Sequence, residues 1–328
     1  MLVAPDSFKG TFRAAEVAGA IGRGLERAGL MPPDVLPLAD GGDGTLDALL
    51  VNLGGETVSA RVRDPLGREI EAGYALVEDG ETALIEMAAA SGLSLVTEEE
   101  RDAWAASTYG TGQLIVDAVD RGARVILVAV GGSATTDGGA GALEAIEAAG
   151  GLRGARIVVL SDVQTPWERC AEVYGPQKGA DPAMVRRLAD RLDELAARLP
   201  KDPRGVPMTG AAGGLSGGLW AAHGASLEPG APWILDALDF DVRMRAARAV
   251  VTGEGKLDEQ TLQGKLVGEV GTRTRQAGVP LHAIVGTDAL DAFGKRMIDL
   301  QVVAVATTLD EIVAAAEDLG RRLATGEA

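Results

Sequence analysis

Short apolar runs in this chain keep ending on glycines, hydroxyls or carboxylates and then passing into a helix. Residues 2–4 lead into Pro5-Asp6-Ser7-Phe8-Lys9-Gly10 and an amphipathic pattern over 14–28, and residues 35–38 lead into Asp40-Gly41-Gly42-Asp43-Gly44 and a helix ending near 53. Residues 124–130 open into Gly131-Gly132-Ser133-Ala134-Thr135-Thr136-Asp137-Gly138-Gly139 before a helix over 138–149. Residues 249–252 open into Gly253-Glu254-Gly255-Lys256-Leu257-Asp258. Strand, loop and helix in repetition specify an α/β chain with parallel sheet, because a strand re-entering the same sheet after a crossover helix runs parallel to its predecessor. Further strands over 156–160, 281–285 and 302–306, and helices over 182–199, 217–224, 265–276 and 310–323, continue the pattern.

Between 57 and 87 the texture changes. Alternating stretches at 58–63, 70–77 and 82–85 are separated by Asp64-Pro65-Leu66-Gly67 and Asp79-Gly80, which reads as antiparallel hairpins. The economical arrangement is two domains. Residues 1–56 plus 240–328 form a discontinuous doubly wound domain, and residues 57–239 form an inserted mixed α/β domain. The strand at 124–130 suits either, and 201–209 reads as a linker. A length of 328 residues with 46% hydrophobic composition agrees, at about 150 residues per domain.

Composition narrows the chemistry. A formal charge of -17 argues against nucleic acid, since neutralising phosphates takes a basic face. One cysteine, Cys170, and two histidines, His223 and His282, exclude a disulfide framework and the usual zinc sites, so metal chemistry must use oxygen ligands. The first residues do not form a signal peptide and no apolar run is long enough to span a membrane, which gives the expectation of a cytoplasmic protein. The 45 glycines and six lysines are informative together. Five of those lysines, all but Lys201, adjoin a glycine, a pairing that lets backbone N–H groups approach an anion while an ammonium adds charge.

Ligands of parallel sheets bind at the carboxyl ends of the strands, where these loops lie. Asp6, Ser7 and Lys9 offer a carboxylate, a hydroxyl and an ammonium within four residues, or else a turn beside a solvated lysine. Asp43 is a good helix cap, which leaves Asp40 as the better ligand or metal candidate. Gly131, Gly132 and Ser133 have the composition of a phosphate cradle, although Asp137 also suits a cap. Glu254 and Asp258 either hold a divalent cation or cap a helix. The 253–258 segment is neither a P-loop nor a dinucleotide fingerprint. Gly214-Leu215-Ser216-Gly217-Gly218 has the spacing of a nucleophile elbow, but no apolar strand precedes it, so a glycine-rich helix entry is the better reading.

The ordered motifs APDSFKG, LADGGDGT, IEMAAASGL, YGTGQL, GGSATTDGGAG, YGPQKGA, AAGGLSGGL and VTGEGKLDEQTLQGK resemble the bacterial glycerate kinase family over nearly the whole chain. The resemblance implies a flavodoxin-like domain beside a mixed α/β domain, and phosphorylation of D-glycerate by ATP with Mg²⁺, most often to 2-phosphoglycerate. It implies small-molecule partners only. Carried onto this chain, it implies Lys9 on the reacting anion, Asp40 or Asp162 orienting the hydroxyl, and Asp6, Ser7 and Lys178 on the substrate. Gly131, Gly132, Ser133, Gly253, Gly255 and Lys256 would lie on phosphates, with Glu254 or Asp258 near the metal. Departures are Thr136 and Thr165 where family members often carry asparagine, and a shortened stretch at 150–155. These leave room for a kinase of another small hydroxy acid, or for a ligand-binding protein that has lost catalysis.

Overall fold

The computed structural model describes residues 1–42, 44–263 and 265–326; the cap expected of Asp43 and the glycine before Lys265 lie outside the described residues. The chain is α/β throughout and divides into two compact units: Met1–Asp40, Asp47–Asn52 and Ala231–Ala328 in one, Gly41–Leu46 and Leu53–Gly230 in the other.

The first unit is built on a five-stranded, all-parallel sheet. Its order across the sheet is Leu300–Val305, Leu281–Val285, Val250–Thr252, Leu2–Val3 and Asp34–Val35. Counted along the chain within this unit the order is 2-1-3-4-5, a common doubly wound arrangement that reverses direction between its first and third strands. Alternation sorts the side chains. Val3, Val251 and Ile284 pack with the helices Ala14–Arg27 and Leu309–Thr325, whereas Ala283 and Val285 pack with Val267 of the Leu266–Ala277 helix. The two helices of the first face meet at Gly24, where a Cβ would stand 2.4 Å from the Val313 carbonyl oxygen. Thr308 caps the last helix by accepting from Glu311 N, while the Glu311 carboxylate accepts from Thr308 N.

The second unit carries a six-stranded sheet whose strands follow in chain order: Glu56–Arg63, Glu69–Val77, Thr82–Glu86, Val125–Ala129, Arg156–Ser161 and Ser226–Pro229. The first three pair antiparallel, as the turn signals imply, and the remainder parallel. The strand near 124–130 belongs to this sheet. Helices Tyr109–Asp120 and Ala140–Ala148 make the first two parallel crossovers and bury Leu114, Ile115, Ala142 and Ile146 against it.

Differences from the sequence reading are local. Only Asp34–Val35 of the second strand forms a ladder, although Leu36 N and Leu38 N still donate to Val3 O (2.8 Å) and Pro5 O (2.9 Å). Residues 201–209 lie within the second unit, where Thr209 is buried and accepts from Trp167 N at 3.0 Å. The short elements Ser226–Pro229, Gly230–Ala237 and Phe240–Ala246 are too brief for periodicity to reveal.

Candidate active site

In the first unit all five strands deliver their carboxyl-terminal loops to one cavity of about 540 Å³. Asp6 to Lys9 follow the first strand, Asp40 follows the second, Glu254 to Lys256 follow Val250–Thr252, Gly286 and Thr287 follow Leu281–Val285, and Thr307 follows Leu300–Val305. The reversal point of the sheet lies between the first and third of these loops, where ligands of doubly wound sheets bind. Hydrogen bonds fasten that junction: Asp6 N donates to Gly253 O at 2.8 Å, and Thr252 Oγ1 donates to Ala4 O at 2.8 Å. Glycine is required here by crowding. A Cβ on Gly253 would stand 2.3 Å from Ile284 O, and one on Gly286 would stand 2.6 Å from Gly255 O.

The cavity lining contains opposed charges. Lys9 Nζ lies 2.7 Å from Asp40 Oδ2, the lysine side chain 53% exposed and the carboxylate 2%. Asp6 is buried, and its pKa is pushed up to about 8 by loss of hydration and then by the Asp40 carboxylate, with Lys9 pulling the other way. Glu254 is pushed up to about 7, chiefly by burial, although Thr261 Oγ1 donates to its Oε1 at 2.7 Å. Two buried carboxyl groups therefore titrate near neutrality in a cavity that also presents Lys9, Lys256 and Lys265. Asp258 differs from both: it pairs with Lys256 at 3.1 Å, and that contact holds its carboxyl below the usual range. Lys265 Nζ donates to Gln260 Oε1 at 2.9 Å.

Among the described residues, no group of three or more His, Cys, Asp or Glu side chains is arranged to hold a metal ion. Mg²⁺ asks for less, since it commonly takes one or two carboxylates with water and substrate phosphates. Glu254 fits that need: its raised pKa reflects a buried acid with too little countercharge, which a cation would supply. Asp258 fits less well because Lys256 already neutralises it.

The remaining candidates lie in the second unit. Gly131, Gly132 and Ser133 follow the Val125–Ala129 strand; Gly132 has φ of 65° and lines a second cavity of about 470 Å³. Ser133 Oγ accepts from Lys178 Nζ at 2.8 Å, and Lys178, 1% exposed, also donates to Thr135 O at 2.5 Å. Burial lowers the Lys178 pKa to about 8. Asp162 follows the Arg156–Ser161 strand and is half-buried. Thr165 Oγ1 hydrogen-bonds the Tyr174 hydroxyl at 2.7 Å, and Thr136 Oγ1 is buried without a partner among the described residues.

Much of the glycine in this unit serves packing. A Cβ on Gly213 would stand 2.0 Å from Thr135 O, and Gly138, Gly214 and Gly217 all press against the buried Trp167 ring. Asp137 acts as a structural acceptor: Oδ2 receives Thr108 N and Thr108 Oγ1 at 2.8 Å each and Gly141 N at 3.2 Å, while Oδ1 receives Gly139 N at 3.0 Å. Ser216 Oγ donates to Met208 O at 2.6 Å, inside a helix that begins at Leu215.

Sequence reasoning missed the cavity contributions of Thr11, Gln260, Gly286, Thr287 and Thr307, and gave Lys265 no role. The strand-end rule applied to 281–285 and 302–306 would have found Gly286, Thr287 and Thr307. No composition marks Thr11 or Gln260, which the fold alone brings to the cavity.

The profile of the glycerate kinase family matches residues 1–150 and 147–325. The chain is 39% identical over 325 residues to the glycerate kinase of Halalkalibacterium halodurans, across 88% of this chain and 85% of that one. It is 36% identical over 361 residues to the glycerate 2-kinase of Escherichia coli K12, across 97% and 94%. A crystal structure assigned as glycerate kinase 2, from Salmonella typhimurium LT2, superposes with a TM-score of 0.84 at 33% identity, covering 99% of this chain and 98% of the other.

Proposed function

The chain belongs to the glycerate kinase family, and on that premise we propose that it transfers the γ-phosphoryl group of ATP to a hydroxyl of D-glycerate, giving 2-phosphoglycerate. The observation that carries this reading is the first unit's cavity, where lysines and near-neutral carboxyl groups share one lining at the sheet's reversal point. Such a lining suits a reaction that must hold an anion and also accept a proton.

In the proposed reaction the substrate carboxylate and the transferring phosphoryl group are held by Lys9, Lys256 and Lys265, with Ser7 donating from the first loop. Asp6 takes the proton of the attacking hydroxyl as its oxygen bonds to phosphorus and the bond to ADP breaks. An acid that titrates near the working pH is an effective proton acceptor, and Asp6 meets that condition. Asp40 keeps Lys9 aimed into the cavity through their 2.7 Å contact. Asp162 lines neither cavity's described wall and is assigned no proton transfer. Glu254 is the residue that would hold Mg²⁺; the ion, bound with ATP, supplies neutralising charge to the phosphate oxygens. Gly253 and Gly255 allow the third strand's loop to approach the phosphates closely. In the second unit, Gly131, Gly132 and Ser133 are proposed as donors to nucleotide phosphate. Positioning and electrostatics of this kind carry most of phosphoryl-transfer catalysis.

Incubation with D-glycerate and MgATP, followed by phosphorus NMR, tests the reading. A product resonance split by the single proton at C2 is expected. A resonance split by two protons would place the phosphate at C3, and no product at all would remove the activity.

A further inference from the structure

Lys178 is an unusual residue to bury. The residue is 1% exposed, and among the described residues no carboxylate lies within ion-pairing distance of its ammonium. Its protons go to Ser133 Oγ at 2.8 Å and Thr135 O at 2.5 Å, and the Tyr174 ring lies 5.9 Å away. Holding a lysine this way is costly in lost hydration. A lysine needed only to fill space would be better replaced by methionine or leucine.

The hydrogen-bond accounting around Ser133 indicates what the arrangement supplies. A serine hydroxyl has one proton to give and two lone pairs to receive with. Ser133 Oγ receives from Lys178, and among the described residues no acceptor takes the Ser133 proton. The loop itself is anchored on its other side: Leu93 N donates to Gly132 O at 2.8 Å, and Ala134 N donates to Ser91 O at 2.9 Å. Gly132 and Gln177, the chain neighbours of Ser133 and Lys178, both line the 470 Å³ cavity at the carboxyl ends of the second unit's parallel strands.

We propose that Lys178 is a positioning residue that acts through Ser133: by donating to Ser133 Oγ it turns the serine proton away from itself and polarises it for donation to a phosphate oxygen of the nucleotide. The substrate contact belongs to Ser133, and Lys178 lies one bond behind it. This replaces the direct substrate contact that the family resemblance implies for Lys178. It rests on the reading that the Gly131–Ser133 loop faces nucleotide phosphate. Charge-assisted hydrogen bonds are stronger than neutral ones and bonds in series polarise one another, so losing either member should remove most of what the pair supplies.

The test is calorimetric binding of ATP to the full chain without glycerate, for the wild type, Ser133→Ala, Lys178→Met, the double variant and Ser133→Thr. Each single variant should weaken binding about tenfold, a loss of about 1.4 kcal/mol. The double variant should be no weaker than the worse single variant, because two members of one relay do not add. Ser133→Thr, which keeps a hydroxyl, should bind within about threefold of the wild type, under ~0.7 kcal/mol. Additive losses, or an unchanged Lys178→Met or Ser133→Ala, would overturn the relay. Should Lys178→Met fail to fold, carbon NMR of the lysine ε-carbons decides, since the chain has only six lysines. ATP should shift the Lys178 resonance in the wild type and leave it unmoved in Ser133→Ala; the same shift in both overturns the proposal. A wild type that binds ATP but does not phosphorylate glycerate would sink the reaction and leave the relay standing. One that binds no ATP would sink the relay.

Discussion

The loops around Asp6 and Glu254 in the first unit and the 131–139 loop in the second begin from the same kind of sequence, an apolar strand followed by glycine, hydroxyl and carboxylate residues. They end in different physics. In the first unit the loops diverge around an open cavity, and their carboxyl groups are left with too little countercharge, so that Asp6 and Glu254 titrate near neutrality. In the second, the far half of the loop is closed: glycines 138, 214, 217 and 218 press on one another or on Trp167, Gly213 presses on the Thr135 backbone, and Asp137 satisfies four donors. Composition alone does not separate the two outcomes. What packs against a loop from far along the chain decides whether its glycines admit a ligand or another backbone.

The largest effect that would break this contrast is structural. Gly213→Val places a side chain where even a Cβ meets Thr135 O at 2.0 Å, at a φ of +64° that branched residues avoid. The expected loss is at least about 3 kcal/mol of stability, read from urea denaturation, because backbone and steric strain act together. A loss under about 1 kcal/mol, the ordinary value for a point mutation, would show that the glycine contacts are loose.

Asp6→Asn sharpens the other side. Its kcat should fall at least about 100-fold if Asp6 accepts the proton, since general-base contributions run to about 10²–10⁴. Stability should respond oppositely. An acid raised in the folded state from 3.8 to about 8 contributes full stability below the lower value and loses it as pH rises through that interval. The asparagine variant should therefore be more stable than the wild type at pH 8, with the advantage shrinking toward pH 5. Glu254 has a shift of the same sign, so the variant retains part of the slope. Melting curves at the two pH values check this, and an advantage of equal size at both would remove the titration argument.

Ser216→Ala should have the smallest effect. Among the described residues the hydroxyl bonds only Met208 O and Ala211 O in the interior, so about 1 kcal/mol of stability is expected with kcat/KM within about threefold. A larger drop in activity would contradict a purely structural role for Ser216.

The alternation of strands, loops and helices was legible because each long element carries its own periodicity; Ala14–Arg27 and Leu281–Val285 lie within two residues of the sequence reading. The Asp6, Asp40 and Glu254 loops were legible because carboxylates and glycines at strand ends have a physical reason to be there. The order of the strands was not, since the pairing of Leu2–Val3 with Val250–Thr252 joins segments far apart in the chain and leaves no local mark. Nor could sequence separate the Asp258 carboxylate, paired with Lys256, from that of Glu254, left under-compensated, although the two are four residues apart. Gln260 entered the cavity unannounced for the same reason: no composition marks it, and only the fold brings it to Asp6.

The account's central claim is that the first unit's cavity carries the reaction, with Lys9 in contact with the reacting anion. Steady-state kcat/KM for D-glycerate at saturating MgATP, compared between the wild type and a folded Lys9→Met variant, tests it most directly. A fall of at least about 100-fold, corresponding to about 2.7 kcal/mol of lost transition-state stabilisation, is the result predicted. A value within about threefold of the wild type, under ~0.7 kcal/mol, would contradict it.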